Sequence, residues 1–196
     1  MRKLNPAGLA MYPGSPVLVQ ALLRPADRLV ACELHPEAAA TLMRCLKGDS
    51  RAKAVAIDGW TALKAFLPPR ERRGLVLIDP PFEATGEFER LAEALAAAHR
   101  KWSTGIFTAW YPVKDRRETD RFERLVSRLG IAKTLRAEML LRPLGPSAGL
   151  AGAGLVIVNP PWRLADDLTM HLPALGLALG GEGAACRIGW LSREPA

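Results

Sequence analysis

The chain has 196 residues, 49% of them hydrophobic and 24% charged, which suits one folded domain with a substantial core and excludes a disordered or fibrous chain. Its formal net charge of +7 and pI near 9.8 favour a polyanionic partner without naming it. No apolar run reaches the length of a membrane span, no signal peptide opens the chain, and three scattered cysteines and three histidines give neither a disulfide framework nor a zinc site, so a cytoplasmic protein without metal fits.

The first element follows the turn Tyr12-Pro13-Gly14. Ser15 is placed to cap a buried helix over 17–24, with Pro16 at its first position, where a missing N–H costs nothing. Such a helix start can also hold a polar or anionic ligand. A strand over 28–31 ends in Cys32-Glu33-Leu34-His35-Pro36, and a helix over 37–46 follows. A strand over 54–57 ends in Asp58-Gly59-Trp60 and leads into a short helix reaching Phe66.

Gly74-Leu75-Val76-Leu77-Ile78 then runs straight into Asp79-Pro80-Pro81-Phe82. The run is short, partly β-branched and not alternating, so it reads as a strand buried on both faces. Neither proline can donate to a ladder, so the strand stops at Asp79. Three successive strands thus end in acids, Glu33, Asp58 and Asp79, each interval being long enough for one crossover helix. Right-handed crossovers place the three carboxylates on one rim of a parallel sheet, the rim where ligands bind in open α/β folds. Glu33 suits the ribose hydroxyls of a nucleoside, and Asp58, with Gly59 and Trp60 beside it, suits that nucleoside's adenine.

Asp79-Pro80-Pro81-Phe82 suits a second amine. An adenine amino nitrogen is a weak nucleophile because its lone pair is delocalised into the ring. A carboxylate accepting one N–H and the Pro80 carbonyl accepting the other would pull the nitrogen toward tetrahedral geometry, with the stiff Pro80-Pro81 pair holding both acceptors ready. Phe82 would stack on the extruded base.

Beyond this box, Phe88, Leu91, Ala92 and Leu95 mark one face of a helix running to about Arg100. A strand over 104–110 is stopped at Tyr111-Pro112. A helix over 116–129 closes at Gly130 and carries Arg116, Arg117, Arg121, Arg124 and Arg128, several of them on one face. A mixed-polarity strand over 133–141, a glycine-rich loop over 145–154 and a strand over 155–158 follow, then Asn159-Pro160-Pro161-Trp162 and a last strand over 187–191. The stretch 172–186 is weakly polar and broken by a proline and glycines. Asn159-Pro160-Pro161-Trp162 could in principle do the chemistry of the first box, but it follows an antiparallel pair and lacks the upstream series of acids, which favours a structural role. The glycines before it precede a strand rather than open a helix, so they read as a hairpin connection and not a cofactor loop.

Taken in order, Tyr-Pro-Gly-Ser-Pro at 12–16, Glu-Leu-His-Pro at 33–36, Asp-Gly at 58–59, Arg-Arg-Gly-Leu-Val-Leu-Ile-Asp-Pro-Pro at 72–81, Thr-Gly-Ile at 104–106, Trp-Tyr-Pro at 110–112 and Asn-Pro-Pro-Trp at 159–162 resemble the bacterial large-subunit ribosomal RNA adenine-N6 methyltransferase J family. The resemblance implies a Rossmann-like class I methyltransferase domain over 1–196, with a mostly parallel sheet and antiparallel C-terminal strands. It implies S-adenosyl-L-methionine as methyl donor and protein-free 23S ribosomal RNA as partner of a monomer. It places Ser15, Glu33, Asp58 and Gly59 at the cofactor, Asp79 at the catalytic position, and Pro80, Pro81 and Phe82 at the base. Phe82 stands where the family has tyrosine. The family's first strand and its cofactor glycine loop have no counterpart here, so two strands are expected to lack their central neighbour and cofactor binding to be weak. Amino methylation of DNA and an inactive RNA-binding remnant stand as the alternatives.

Overall fold

The structure, a computed structural model, describes residues 12–145 and 149–193. Where a single domain is expected, the chain divides between Ala65 and Phe66 into two compact units.

The first unit carries α1 (Ser15–Leu22), β1 (Leu29–Glu33), α2 (Pro36–Leu46), β2 (Ala52–Ala56) and α3 (Gly59–Phe66). β1 and β2 pair in parallel with Glu33 opposite Ala56, and α2 is the crossover that such a pair requires. The start of α1 corrects one expectation. Gly14 is the N-cap, its carbonyl accepting the N–H groups of Val17 and Leu18 at 3.1 and 3.2 Å. Ser15 is the first helical residue, is exposed, and makes no capping bond. The backbone carbonyl of Gly14 already serves that turn, so the hydroxyl is not needed for it. Nor is α1 buried: none of its residues is, and Leu22 is 82% exposed. Its C-terminal end is tied down by Arg51, which donates to the Leu23 carbonyl at 2.6 Å and to Asp49 at 2.7 Å, while Gln20 donates to the same carboxylate.

The second unit carries β3 (Leu75–Ile78), α4 (Glu87–Lys101), β4 (Ile106–Val113), α5 (Arg116–Arg128), β5 (Thr134–Leu140), β6 (Gly152–Val158), α6 (Leu164–Gly180) and β7 (Ala185–Ser192). The sheet order is β3-β4-β6-β5-β7, parallel between β3 and β4 and antiparallel elsewhere. Leu91 and Leu95 of α4, Phe107 of β4, Phe122 and Val126 of α5, and Leu135 of β5 form its core. Among the described residues, β1 and β3 each have a strand on one side only. That edge position explains why β3 is not buried on both faces: Ile78 is buried, but Leu75 is 60% and Leu77 42% exposed.

Three further departures have local causes. β4 does not stop at Tyr111-Pro112 but continues to Val113. The β3 pairing ends at Ala109, so beyond it β4 has a neighbour on the β6 side alone, and a missing N–H at Pro112 is tolerated at such a local edge. The glycine segment, whose residues 146–148 lie outside the described residues, is not all loop: Gly152 and Gly154 belong to β6. α6 has no counterpart in the sequence reading, because Pro173 and the glycines that follow it disguise a helix. Gly176 is buried against Cys186, where an added Cβ would come within 3.2 Å of the sulfur, so the glycine permits close packing of α6 on β7.

Gly154 is required by the sheet itself. Tyr111, Gly154, Glu138 and Arg187 are successive partners across β4, β6, β5 and β7. A Cβ on Gly154 would run into the Tyr111 ring. The bare glycine lets the phenol pass over β6 and donate to Glu138 Oε2 at 3.3 Å. Glu138 is wholly buried and also meets Arg116 Nη1 at 2.7 Å and Arg187 Nη1 at 3.6 Å. Burial, with Glu138 and Glu123 close by, pushes the Tyr111 hydroxyl far above its ordinary pKa, so it stays a donor.

Tyr111→Phe leaves a buried carboxylate oxygen without its donor and is expected to lower stability by about 1–3 kcal/mol. Gly154→Ala overpacks the same spot and is expected to cost about 1–3 kcal/mol in the parent but much less in a Tyr111→Ala background. Urea denaturation of the full cycle measures the coupling; additive effects would show that the ring does not depend on the glycine.

Candidate active site

β3 and β4 run in parallel with Ile78 opposite Ala109, so Asp79 and Trp110 follow at the same level of the sheet. Pro80 is buried and Pro81 exposed. Phe82 then adopts φ 53°, in the left-handed region. This conformation is unusual for a bulky side chain and holds only where the surroundings fix it. The fixing contacts are aromatic. The Phe82 ring lies 4.8 Å from Phe88 at the start of α4 and 5.9 Å from Trp110 of β4, centroid to centroid. Phe88 continues the contact to Phe122 of α5 at 5.1 Å and to Tyr111 at 6.4 Å. The sequence reading takes Phe88 as part of an apolar helix face and Trp110 as the last residue of a strand. Their roles as walls for Phe82 follow from the left-handed backbone at Phe82, which no residue type announces.

Asp79 is exposed and, among the described residues, makes no hydrogen bond or ion pair. Partial burial pushes its carboxyl above the ordinary aspartate pKa. The second Pro-Pro box is built differently. Asn159 also has a left-handed backbone, at φ 52°, but its Nδ2 donates to the carbonyls of Ser103 and Gly105, each at 2.8 Å, pinning the loop before β4. Both donors of that amide are occupied, whereas the Asp79 carboxylate is uncommitted. Trp162, at the end of the second box, is 94% exposed.

In the first unit, Glu33 closes β1 and Asp58 follows β2, and Ile57 N–H donates to the Glu33 carbonyl at 3.2 Å. The two acids therefore lie at the same end of one parallel pair. Glu33 Oε1 accepts the His35 N–H at 2.8 Å. Asp58 Oδ2 accepts both the N–H and the hydroxyl of Thr61 at 2.9 Å, capping α3, a duty its position in the sequence did not reveal. A Cβ at Gly59 would meet nothing within 4 Å, so the chain's own packing does not require glycine there. Asp79 belongs to the other sheet, so of the three acids expected on a single rim two stand on one sheet and the third on the other.

Residues 1–192 match the family described as ribosomal RNA large subunit methyltransferase D, RlmJ. The chain belongs to the RlmJ family. The ribosomal RNA large subunit methyltransferases J of Haemophilus influenzae and Escherichia coli are each 36% identical to it over 197 residues, covering 99% of this chain and 70% of their own length. Protein LPL1258 from Legionella pneumophila superposes with a TM-score of 0.89 at 34% identity, over 96% of this chain and 70% of that one. A probable spermidine synthase from Corynebacterium glutamicum, 13% identical with a TM-score of 0.56 over 89% of this chain and 71% of its own, shares the fold. Like the rest of the RlmJ family, the chain is a methyltransferase with a Rossmann-like class I fold, and S-adenosylmethionine is its methyl donor.

The residues present fit the nucleoside end of that cofactor. Two carboxylates at neighbouring parallel strand ends supply acceptors for hydroxyls and an amine, and the open side of Gly59 leaves room for a flat ring against bare backbone.

The raised Asp79 pKa has two consequences. An ionised carboxylate is the form able to accept an amine N–H, so were Asp79 to do so in the reaction, kcat/KM would fall on acidification at a pH above the range of an ordinary aspartate. The folded state also disfavours this charge. Stability therefore declines as pH rises from the ordinary value through the raised one, and Asp79→Asn is expected to melt no lower than the parent at pH 7. A clear drop in its Tm would contradict this description of the site.

Proposed function

We propose that this protein transfers a methyl group from S-adenosylmethionine to the N6 amine of an adenine in 23S ribosomal RNA, acting as a cytoplasmic monomer on protein-free RNA. The observation that carries the reading is the uncommitted Asp79 carboxylate at the end of β3, followed by two prolines and a ring in a fixed left-handed conformation. The relatives' designation as ribosomal RNA large subunit methyltransferases supports RNA as the acceptor, in preference to DNA.

The roles follow from the chemistry of each group. Phe82 stacks on the extruded adenine, its own rotation limited by Phe88 and Trp110. Asp79 accepts one amine N–H and the Pro80 carbonyl the other, drawing the nitrogen lone pair out of conjugation. These acceptors are set before the base arrives, so no reorganisation is spent on them at the moment of reaction. The bound cofactor supplies an electrophilic methyl group. Glu33 holds its ribose hydroxyls, Asp58 and Gly59 its adenine, and Ser15, whose hydroxyl caps nothing, is available to a polar group of the same ligand. Asn159 is assigned to structure because its amide is fully used.

The test compares the parent, Asp79→Ala and Asn159→Ala in single-turnover transfer to protein-free 23S ribosomal RNA, with cofactor affinity measured by calorimetry. Asp79→Ala is expected to lose at least a hundredfold in transfer while keeping cofactor affinity within a few fold, in line with about 10²–10³ for loss of one preorganised group. Asn159→Ala is expected to lose stability first. Near-normal transfer by Asp79→Ala would remove Asp79 from the reaction.

A further inference from the structure

The arginines of α5 divide sharply by direction. Arg116 points inward to Glu138 at 2.7 Å. Arg117, Arg121, Arg124 and Arg128 are all exposed. At 3.6 residues per turn, these four fall within an arc of about 60° and extend along about 17 Å of helix. Among the described residues the guanidinium groups of Arg117, Arg124 and Arg128 make no hydrogen bond or ion pair. Arg121 meets Glu89 of α4 at 3.0 Å, with both side chains well exposed.

A solvated helix face of the usual kind mixes signs, with an acid three or four residues from each base. Here Arg117 and Arg121, Arg121 and Arg124, and Arg124 and Arg128 are themselves i,i+4 or i,i+3 neighbours, so like charges stand next to each other along the row. Of the acids on or next to α5, Asp115 caps the helix through Arg117 N–H, Asp120 and Glu123 meet Arg187, and Glu123 also pairs with Arg136; Glu118 is exposed but lies about 60° round the helix from the edge of the row. A run of adjacent guanidinium groups, of which Arg121 alone meets an acid, is destabilising in the free protein and is relieved by a polyanion whose negative groups recur along a line.

The row also starts beside the reacting end of its sheet. α5 begins three residues after β4 ends, on the level beyond Trp110. Two ring contacts, of 4.8 and 5.1 Å, join Phe82 through Phe88 to Phe122 on the inner side of the same helix. A strand whose base lies on Phe82 can therefore reach Arg117 first and Arg128 last.

We infer that the outer face of α5 is a phosphate rail, on which Arg117, Arg121, Arg124 and Arg128 hold the RNA backbone flanking the target adenine. The inference rests on the RNA methylation proposed above and names the surface that recognises the substrate. The rail reads charge and strand path, not base identity. It also restricts the binding role to the outward arginines, since Arg116 belongs to the buried ion cluster.

The test is equilibrium binding of the parent and of the triple variant Arg117→Gln/Arg124→Gln/Arg128→Gln to a protein-free 23S ribosomal RNA fragment over a salt series. Arg100→Gln, an exposed arginine at the end of α4, is the control. The triple variant is expected to bind at least tenfold more weakly and to reduce the slope of log affinity against log salt by roughly 2 to 3 in magnitude, about 0.7–0.9 per arginine. Its Tm should be no lower than the parent's, its affinity for S-adenosylmethionine should match the parent, and its defect in transfer should appear in KM for RNA. Arg100→Gln should change the slope by much less than one rail arginine does. An unchanged slope in the triple variant, or an equal change per arginine in the control, would overturn the rail. Parent protein that binds RNA through this slope but methylates none of it would instead overturn the proposed function and leave the rail standing.

Discussion

A carboxylate with no access to water is the constraint on which the second unit is built. Glu138 lies mid-sheet on β5, and an unpaired charge there would be prohibitive, removal of one partner from a buried pair costing about 3–5 kcal/mol. Its partners come from three other elements: Tyr111 of β4, Arg116 of α5 and Arg187 of β7. Arg187 is shared with Asp120 and Glu123, and although burial opposes its charge, these three carboxylates together raise its pKa. The cluster fixes where α5 begins, because Arg116 is its first residue. It also fixes the level of Tyr111, and with it Trp110, on β4.

The reacting end inherits its rigidity from that arrangement. Trp110 and Phe88 box in Phe82, and Phe88 leans on Tyr111 and Phe122. Phe82 can therefore keep a backbone conformation that an isolated phenylalanine would leave. The two prolines before it have little freedom to lose, so the path from Ile78 to Phe82 is set by β3 on one side and by the aromatic cluster on the other. Asp79, alone in this path without a partner, is the group whose chemistry remains to be used. The contrast with Asn159 is one of occupancy: the same Pro-Pro context is present, but the amide is consumed by Ser103 and Gly105.

Much of this was legible in the residues. The strand running into Asp79-Pro80-Pro81-Phe82, though not its burial, the helix over α5 closed by Gly130, whose φ is 67°, and the acids at the ends of β1 and β2 all have local chemical signatures. What escaped depends on partners distant in sequence. Gly154 and Tyr111 are 43 residues apart by number, and no local rule tells a glycine that seats a ring across a sheet from one that turns a hairpin. Glu138 and Arg136 marked a mixed-polarity strand, and only the structure shows that Glu138 is enclosed and Arg136 half-buried. Pro173 concealed α6, since a proline within a helix is tolerated where packing holds the turn together. The arginines of α5 were visible as a group, but their division into one structural and four outward members required the position of Glu138.

The most direct measurement is the identity of the methylated nucleoside. Protein-free 23S ribosomal RNA and duplex DNA are incubated side by side with the protein and S-adenosylmethionine carrying a deuterated methyl group, then digested and analysed by mass spectrometry. The expected result is label in N6-methyladenosine from the RNA alone. Label at another position of adenine, on the ribose, or preferentially in the DNA would contradict the assignment of Asp79 and its neighbours to an adenine amine in RNA.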